Sequence, residues 1–260
     1  MKKFYGLIIV IIFAAVLPAC AAPPQPTPTA TLAAPVATEL PTATIDWFPA
    51  TATPTRLPTM PPEPTPQMKP GIGEVLIENL LSTTGKWTSG TYNAGNITWD
   101  QTSLTLAVQQ PKSSLFSLEL QKPLEDFYLE TSVNINLCKA GDVVGLTVRS
   151  QSNINYYRFL VDCDGNARAE RVRNGTTTLM QDWVPSGILP GSPQHVVLGV
   201  WVLEKEMRFF ANDVHVLTVQ DPVFTSGTIG VFARSAGDTP VTVRFEDMQV
   251  RAIEALSEGD

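Results

Sequence analysis

The sequence predicts an all-β sandwich over residues 71–254 of this 260-residue chain. Two observations predict it: apolar and polar residues alternate with a period of two in one segment after another, and short turn sequences separate these segments. No window in this region has a convincing helical period. About a dozen strands in one stretch of this length indicate two sheets packed face to face around a single core.

The alternation is clearest in residues 126–137, where the odd-numbered apolar residues Phe127, Leu129, Val133, Ile135 and Leu137 share one face. The same period predicts further strands at 97–108, 114–120, 141–150, 155–163, 166–175, 176–183, 195–203, 207–211, 214–219, 227–234 and 241–250. Residues 71–82 are compatible with either a leading strand or a short helix. The last strand changes phase after Phe245, which predicts a β-bulge near Glu246-Asp247.

Two-residue turns separate the later strands and predict tight β-hairpins. They are Asp164-Gly165, Asn174-Gly175, Glu204-Lys205 and Asn212-Asp213. Each lies between two alternating segments, so each predicted hairpin brings neighbouring segments side by side.

The first 19 residues have the features of a secretory signal peptide. Two lysines precede residues 4–17, an uncharged run of 14 that is too short to span a bilayer. The run ends in Leu17-Pro18-Ala19-Cys20, which resembles the bacterial lipobox, although Pro18 departs from the usual small residue. The resemblance implies cleavage before Cys20 and a lipid on its thiol. An uncleaved anchor, or an ordinary signal peptide followed by a chance cysteine, is the alternative.

Residues 20–70 are predicted to be a disordered stalk. The 50 residues after Cys20 include 14 Pro, 11 Thr and 9 Ala, a composition that excludes helix and sheet and offers little apolar surface to bury. We expect an extracytoplasmic protein, lipid-anchored to the cell membrane or the outer membrane. Trp47-Phe48 is either a chance apolar island or a docking motif. Residues 255–260 form a tail.

The charge of the chain bears on its partners. Without Lys2 and Lys3, 16 basic residues stand against 25 acidic ones, a net charge of −9. The basic residues are scattered, which argues against nucleic acid, because phosphates require clustered cations. The domain is expected to be a monomer.

Cys138 and Cys163 are predicted to form a disulfide, because an exported domain with two cysteines is typical of one. If residues 127–137, 143–149 and 156–163 form a meander, one strand lies between the two cysteines, which separates the strand axes by about 9.6 Å. A disulfide requires Cα atoms within about 7 Å. Both cysteines fall in turns that can lean across the middle strand. Two free buried thiols are the alternative.

No metal site or cofactor is predicted. The only histidines are His195 and His215, and no Cys-x-x-Cys pair occurs. The acidic pairs Asp162/Asp164 and Glu246/Asp247 leave calcium as an open alternative, although acidic pairs near turns are commonly just solvated.

Four segments resemble the concanavalin A-like lectin/glucanase superfamily. They read NYYRFLVDCDGNARAERVRNG (155–175), HVVLGVWVLEKEMRFFANDVHVLTV (195–219), SGTIGVFAR (226–234) and VRFEDMQV (243–250). The resemblance covers about residues 97–252 and is closest to the laminin-G-like and 3-keto-disaccharide-hydrolase-like branches. The family hairpin usually reads Asn-Gly, where this chain has Asn212-Asp213. The resemblance implies a jelly roll of two curved sheets whose concave face often holds carbohydrate.

A sugar hydrolase is one functional hypothesis. Retaining glycosidases use two carboxylates about 5 to 5.5 Å apart, and the laminarinase branch carries them as Glu-x-Asp-x-x-Glu, a string absent here. The nearest run, Glu204-Lys205-Glu206, sits at a predicted hairpin turn. No catalytic residue is therefore assigned, and a 3-keto-disaccharide-hydrolase-like activity remains an alternative.

A non-catalytic carbohydrate-binding module is the preferred hypothesis, with a structural or protein-interaction role in the cell envelope as the other alternative. Lectin sites pair an aromatic platform with polar groups that bind hydroxyls. In a meander, the outward face would carry Asn134 and four of our five candidate ligand-binding residues, while the fifth, a tryptophan, has outward parity on its own strand. The candidates are Asn136, Arg149, Tyr156, Arg158 and Trp201. A merely solvated sheet face is the competing interpretation.

Overall fold

The computed structural model describes residues 67–82, 86–237 and 240–254. The predicted signal peptide, Cys20, Trp47-Phe48, the predicted tail and residues 20–66 of the predicted stalk lie outside the described residues, whereas residues 67–70, the end of the predicted stalk, are described. Within the described ranges the chain forms fifteen antiparallel strands and no helix, which confirms the all-β prediction. No helix there is long and apolar enough to cross a membrane.

The strands are numbered in chain order. They are β1 (Ile72–Ile77), β2 (Gly90–Tyr92), β3 (Gly95–Trp99), β4 (Ser103–Val108), β5 (Ser114–Leu118), β6 (Phe127–Leu137), β7 (Val143–Ser152), β8 (Asn155–Asp162), β9 (Asn166–Arg173), β10 (Thr176–Pro185), β11 (Gln194–Leu203), β12 (Glu206–Ala211), β13 (Val214–Gln220), β14 (Thr228–Arg234) and β15 (Val241–Ile253).

These strands form two sheets. The nine-stranded sheet has the order β13-β12-β11-β6-β15-β4-β3-β2, and β1 pairs with the far end of β15. The six-stranded sheet has the order β10-β9-β8-β7-β14-β5. The first and last described strands are therefore antiparallel neighbours, and the Glu254 amide donates to the Gly71 carbonyl at 2.8 Å.

The core lies between the sheets and is built from the apolar residues of each alternating strand. Phe159 of β8 and Phe209 of β12 stack across the interface with ring centroids 5.6 Å apart, and both are fully buried. The predicted inward residues of β6 are buried except Leu137, which is 39% exposed because the strand ends there. Burial on the core side leaves the other side of each sheet available to solvent or to further chain.

The turn chemistry confirms the predicted hairpins. Asn174 and Gly175 have φ of 50° and 77°, and Asn212 and Asp213 have φ of 48° and 67°. Positive φ at both central residues is the geometry that matches the twist of paired strands. Asn and Asp tolerate this region better than most residues, because their short polar side chains bond locally. The hairpins β9–β10 and β12–β13 follow from these residues.

The predicted bulge in the last strand is also present. Asp247 has φ of 49°, and the pairing of β15 with β6 shifts register between Glu246 and Gln249. The buried Thr131 hydroxyl donates to the Glu246 carbonyl at 2.7 Å. The Glu246 carbonyl at the bulge therefore has a partner, and the strand continues to Ile253.

Two sequence-based boundaries change. Residues 97–108 form a hairpin, β3–β4, rather than one strand. The Asp100 carboxylate accepts hydrogen bonds from the Thr102 hydroxyl and from the Thr102 and Ser103 amides, and these bonds hold its pKa well below the usual range. The leading segment, left open between strand and helix, contains strand β1.

The expected meander of three strands is wrong. β6 pairs with β11 and β15 in the nine-stranded sheet, whereas β7 pairs with β8 and β14 in the six-stranded sheet. The link between β6 and β7 thus crosses from one sheet to the other. The alternation of apolar and polar residues predicts which face of a strand each residue lies on, but it does not predict which strand pairs with which. A short link such as that between β6 and β7 is therefore easily mistaken for a hairpin.

The predicted disulfide is present. Cys138 follows β6 and Cys163 follows β8, and their Cα atoms are 6.1 Å apart. Because the two strands belong to different sheets, the bond joins the sheets at one end of the sandwich. In the observed fold no described strand lies between the two cysteines, so the separation of about 9.6 Å expected for a meander does not apply.

Candidate functional site

The outer side of the six-stranded sheet carries a groove of about 540 Å³. Its lining comes from β2, β5, β8 and β14 and from nearby loops, and consists of Thr88, Tyr92, Ser114, Phe116, Leu118, Asn153, Tyr156 and Phe232. We refer to it as the outer groove. It mixes aromatic side chains with hydroxyl and amide groups, the combination that fixes small polar ligands in proteins.

Aromatic rings form the base of the outer groove. The Phe116 and Tyr156 rings stack with centroids 4.9 Å apart and an interplanar angle of 23°. Phe232 pairs with Phe116 across the ladder and is 4% exposed. Burial raises the pKa of Tyr156, so its phenol stays protonated near neutral pH and can donate a hydrogen bond.

Two arginines pair with one buried glutamate beside the groove, and a third arginine lies near enough for its charge to interact with theirs. We call Arg158, Arg168, Arg234 and Glu170 the arginine cluster. Glu170 is 2% exposed, and its two carboxylate oxygens pair with Arg158 and Arg168 respectively. Arg158 lies directly opposite Glu170 in the β8–β9 ladder, because β8 and β9 present alternate residues on the same side.

Two of these guanidinium groups also stack on aromatic rings. The Arg158 guanidinium lies over Phe232, 4.8 Å from its ring centroid, and that of Arg168 lies over Trp183 at 4.5 Å. Cation–π contact and ion pairing fix both side chains against the sheet. Phe232 therefore belongs to both the outer groove and the support of the arginine cluster.

Arg234 differs from the other two arginines. Within the described part of the chain its side chain has no hydrogen-bond or ion-pair partner. Burial, and then the charges of Arg158 and Arg168, lower its pKa, and Glu170 and Asp142 offset this effect only in part. An arginine nevertheless stays charged at neutral pH. The cluster thus holds an uncompensated cation.

Tyr156 and Arg158, two of the five candidate residues, lie together on this outer side. The expected common face with Asn134 and Asn136 is wrong, because β6 belongs to the other sheet. Asn136 is exposed near the end of β6. These asparagines are therefore on the opposite layer of the sandwich from the outer groove.

Arg149 is enclosed rather than presented to solvent. Its side chain is 1% exposed, and its backbone has φ of 49° in β7. The guanidinium donates to the carbonyl oxygens of Glu125, Phe224 and Glu204, at 3.0 Å and 3.1 Å for the first two. It thereby connects the segments before β6, after β11 and before β14.

Trp201 lies on the outer side of the nine-stranded sheet and is covered by residues 68–70, which we call the N-terminal strap. The indole nitrogen donates to the Pro70 carbonyl at 2.9 Å, and the Arg208 guanidinium both stacks on the indole at 4.5 Å and donates to the Met68 carbonyl. With 2% exposure, Trp201 contributes to attachment of the strap.

Sequence reasoning missed Arg168, Glu170 and Trp183 on one side and Phe116, Phe232 and Arg234 on the other. The signal was partly present, since Arg168 and Glu170 share parity in β9, and Phe232 and Arg234 share parity in β14. Bringing the two pairs together required the order β9-β8-β7-β14, which parity does not supply.

The two acidic pairs considered for calcium shape local structure. The Asp162 carboxylate accepts from the Asp164 and Asn166 amides at 3.0 and 2.8 Å, and Glu246 accepts from the Asn134 amide group. In the described ranges, no three His, Cys, Asp or Glu side chains are grouped to hold a metal ion.

No protein-family model and no curated protein matches the sequence. Among solved structures, the chain is similar to a Bacillus subtilis protein of unknown function with a galectin-like fold: 14% identity, TM-score 0.51, covering 71% of this chain and 99% of that one. The domain has a concanavalin A-like jelly-roll fold.

Two further similarities are to the carbohydrate-binding module CBM66 from Bacillus subtilis and to a Bacillus licheniformis β-glucanase. The first has 16% identity, TM-score 0.49, and covers 64% of this chain and 96% of the module. The second has 11% identity, TM-score 0.48, and covers 66% and 94%. Similarities at these identities concern the fold alone.

Proposed function

We propose that the protein is a membrane-anchored extracytoplasmic lipoprotein whose jelly-roll domain binds carbohydrate in the outer groove. The observation that carries the proposal is the stacked Phe116–Tyr156 pair, bordered by hydrogen-bonding side chains in one groove. Sugar rings have apolar C–H faces that pack on aromatic groups and hydroxyls that require hydrogen-bond partners.

The dimensions and chemistry of the groove support this role. Its volume of about 540 Å³ falls in the range of about 300 to 1,000 Å³ typical of small-molecule sites. Tyr92, which is 42% exposed at the end of β2, and the exposed Asn153, in the turn between β7 and β8, line the groove where they can contact a ligand. These two residues are therefore suited to mutational tests that spare the core.

The outer groove favours binding over hydrolysis. Glycoside hydrolysis by the usual mechanism needs a proton-donating carboxylic acid and a second carboxylate. Glu170 is the carboxylate of the adjacent cluster, and both its oxygens are engaged by arginines. Neither oxygen of Glu170 is therefore free to contact a sugar in the outer groove.

A glycan array with the full chain carrying Cys20→Ser tests the proposal. We expect retention of at least one glycan class, and we expect Tyr92→Ala with Asn153→Ala to weaken that binding by about tenfold, the equivalent of about 1.4 kcal/mol. Leu189→Ala, at a residue that is 79% exposed and outside the outer groove, is the matched control. Absence of glycan binding would favour a structural or protein-interaction role, and release of products from a bound glycan would favour a hydrolase.

The lipid anchor is supported by the Leu17-Pro18-Ala19-Cys20 sequence and by the Pro-rich segment that follows it. Fractionation of the producing cells should place the protein with membranes, and Cys20→Ala should release it or leave it unprocessed. Mass spectrometry of the mature N-terminus gives the direct measurement. An unmodified Cys20, or cleavage at another residue, would contradict the anchor.

A further inference from the structure

The arginine cluster carries more positive charge than a neutral sugar requires. The cluster contains three guanidinium groups and one carboxylate, and that carboxylate pairs with Arg158 and Arg168, in a chain whose formal net charge is −7. The nearby Asp142 carboxylate is already engaged, since it accepts from the Lys139 and Ala236 amides at 2.8 Å each. Holding like charges together costs free energy, and a bound anion would remove that cost.

Arg234, whose side chain is unpaired in the described ranges, occupies a strand position next to the outer groove. Arg234 pairs in the β14–β5 ladder with Ser114, which lines the groove. On the same strand and the same side, Phe232 lines the groove and supports the Arg158 guanidinium. A ring bound next to Ser114 in the outer groove would therefore lie beside the strand position of Arg234.

We propose that the outer groove binds acidic glycans, and that Arg234 receives the carboxylate or sulfate group of the ligand. This inference rests on the proposed function and specifies its ligand class. A guanidinium offers parallel N–H donors that match two oxygens of a carboxylate or sulfate. Arg158 and Arg168 hold Glu170 and supply additional positive potential, while Arg234 supplies the free donors.

The first experiment compares ligands that differ only in the acidic group. The probes are oligogalacturonate and its methyl ester, and chondroitin sulfate with its chemically desulfated form, titrated calorimetrically into the full chain carrying Cys20→Ser. We expect an acid form to bind at least about tenfold more tightly than its neutralised or desulfated counterpart, because charge-assisted hydrogen bonds are the stronger ones. The two pairs distinguish carboxylate from sulfate recognition.

The second experiment removes the cation. Arg234→Gln should reduce affinity for the preferred acidic probe by about tenfold or more. Arg173→Gln is the matched control, because it makes the same charge change at an exposed residue at the end of β9. Arg234→Lys, which keeps the charge but loses the planar fork, should fall between. Unfolding curves of each variant distinguish a loss of binding from a loss of folded structure. The comparison of acidic and neutralised ligands uses the protein without a substitution in the groove, so it does not depend on the folding of any variant.

Equal affinity for acidic and neutralised probes would overturn the inference and leave the proposed function standing, provided Tyr92→Ala with Asn153→Ala still weakens binding. Equal losses in Arg234→Gln and Arg173→Gln would also overturn it, since they would indicate a general charge effect. Absence of any glycan binding would overturn both proposals together.

Discussion

Two arginines of this domain differ in what surrounds their guanidinium groups. Arg149 is enclosed by three carbonyl oxygens and the Asp126 carboxylate, whereas the Arg234 side chain has no ion-pair partner in the described ranges and lies within the field of Arg158 and Arg168. Sequence reasoning selected Arg149 and overlooked Arg234. Both arginines follow an alternating apolar run, so the sequence pattern does not distinguish them. What separates them is the backbone: Arg149 has φ of 49° in β7, and its side chain turns toward the loops at that end of the sheet.

At the residue scale, Arg149→Met should destabilise the domain by about 3 kcal/mol, because buried carbonyls and a carboxylate lose their donor. Equilibrium urea unfolding measures the change. Arg149→Lys should retain part of the stability, since an ammonium still donates to some of these oxygens. Unchanged stability combined with weaker glycan binding would instead return Arg149 to the ligand site.

At the scale of elements, strands and turns were predictable and their partners were not. A period of two identifies β6, β7 and β8, and Asn212-Asp213 identifies the β12–β13 hairpin. Residues 138–142 look equally turn-like, yet they cross between the sheets. The choice between a hairpin and a crossing depends on the later strands that pair with β6 and β7, and these strands, β11, β15 and β14, are distant in the sequence.

Close approach of β7 and β8 gives a prediction for Gly145. A Cβ at this position would overlap the Phe159 carbonyl oxygen of β8. Gly145→Ala should therefore destabilise the domain by about 2 kcal/mol, because backbone atoms cannot move aside as a side chain does. Thermal unfolding followed by circular dichroism measures it. Gly237→Ala is the control, since its added Cβ meets no atom within 4 Å, and equal melting temperatures for the two variants would contradict the packing argument.

The disulfide connects elements of different sheets, so its reduction should affect the whole sandwich. The chain-entropy model gives a loss of about 3.5 kcal/mol for a loop of this length, since the cysteines are 25 residues apart. Urea unfolding with and without dithiothreitol measures the loss. The double variant Cys138→Ala with Cys163→Ala should show no response to the reductant. An equal response in both proteins would place the effect elsewhere.

At the scale of the molecule, the outer sides of the two sheets have different roles. The N-terminal strap covers Trp201 on the nine-stranded sheet, and the outer groove remains open on the six-stranded sheet. The amino-acid composition does not indicate this difference between the outer sides of the two sheets. The net charge of −7 and the scattered basic residues show no basic patch along the sequence, but folding brings Arg158, Arg168 and Arg234 near one another from neighbouring strands β8 and β9 and from β14, which is distant in the chain.

Removal of the strap tests this division. Lys69 donates to the Tyr128 hydroxyl at 2.9 Å and pairs with Asp213, in addition to the contacts of Met68 and Pro70. A chain beginning at Gly71 should be less stable by about 2 kcal/mol than one beginning at Gln67, since buried polar groups lose partners. Chemical denaturation compares the two, and glycan affinity serves as the control. A loss of affinity at full stability would show that the two sides communicate.

The antiparallel pairing of β1 with β15 has a consequence for engineering. The Gly71 carbonyl and the Glu254 amide are joined by a 2.8 Å hydrogen bond, so the first and last residues of the sandwich lie side by side. The two ends could therefore be attached to adjacent positions in the backbone of a host protein. Adjacent ends of this kind allow a domain to be spliced into a surface loop of an unrelated protein, or to be circularly permuted with a short peptide bridging its ends. We therefore expect that the sandwich can be inserted into a host protein as one folded unit that keeps the outer groove.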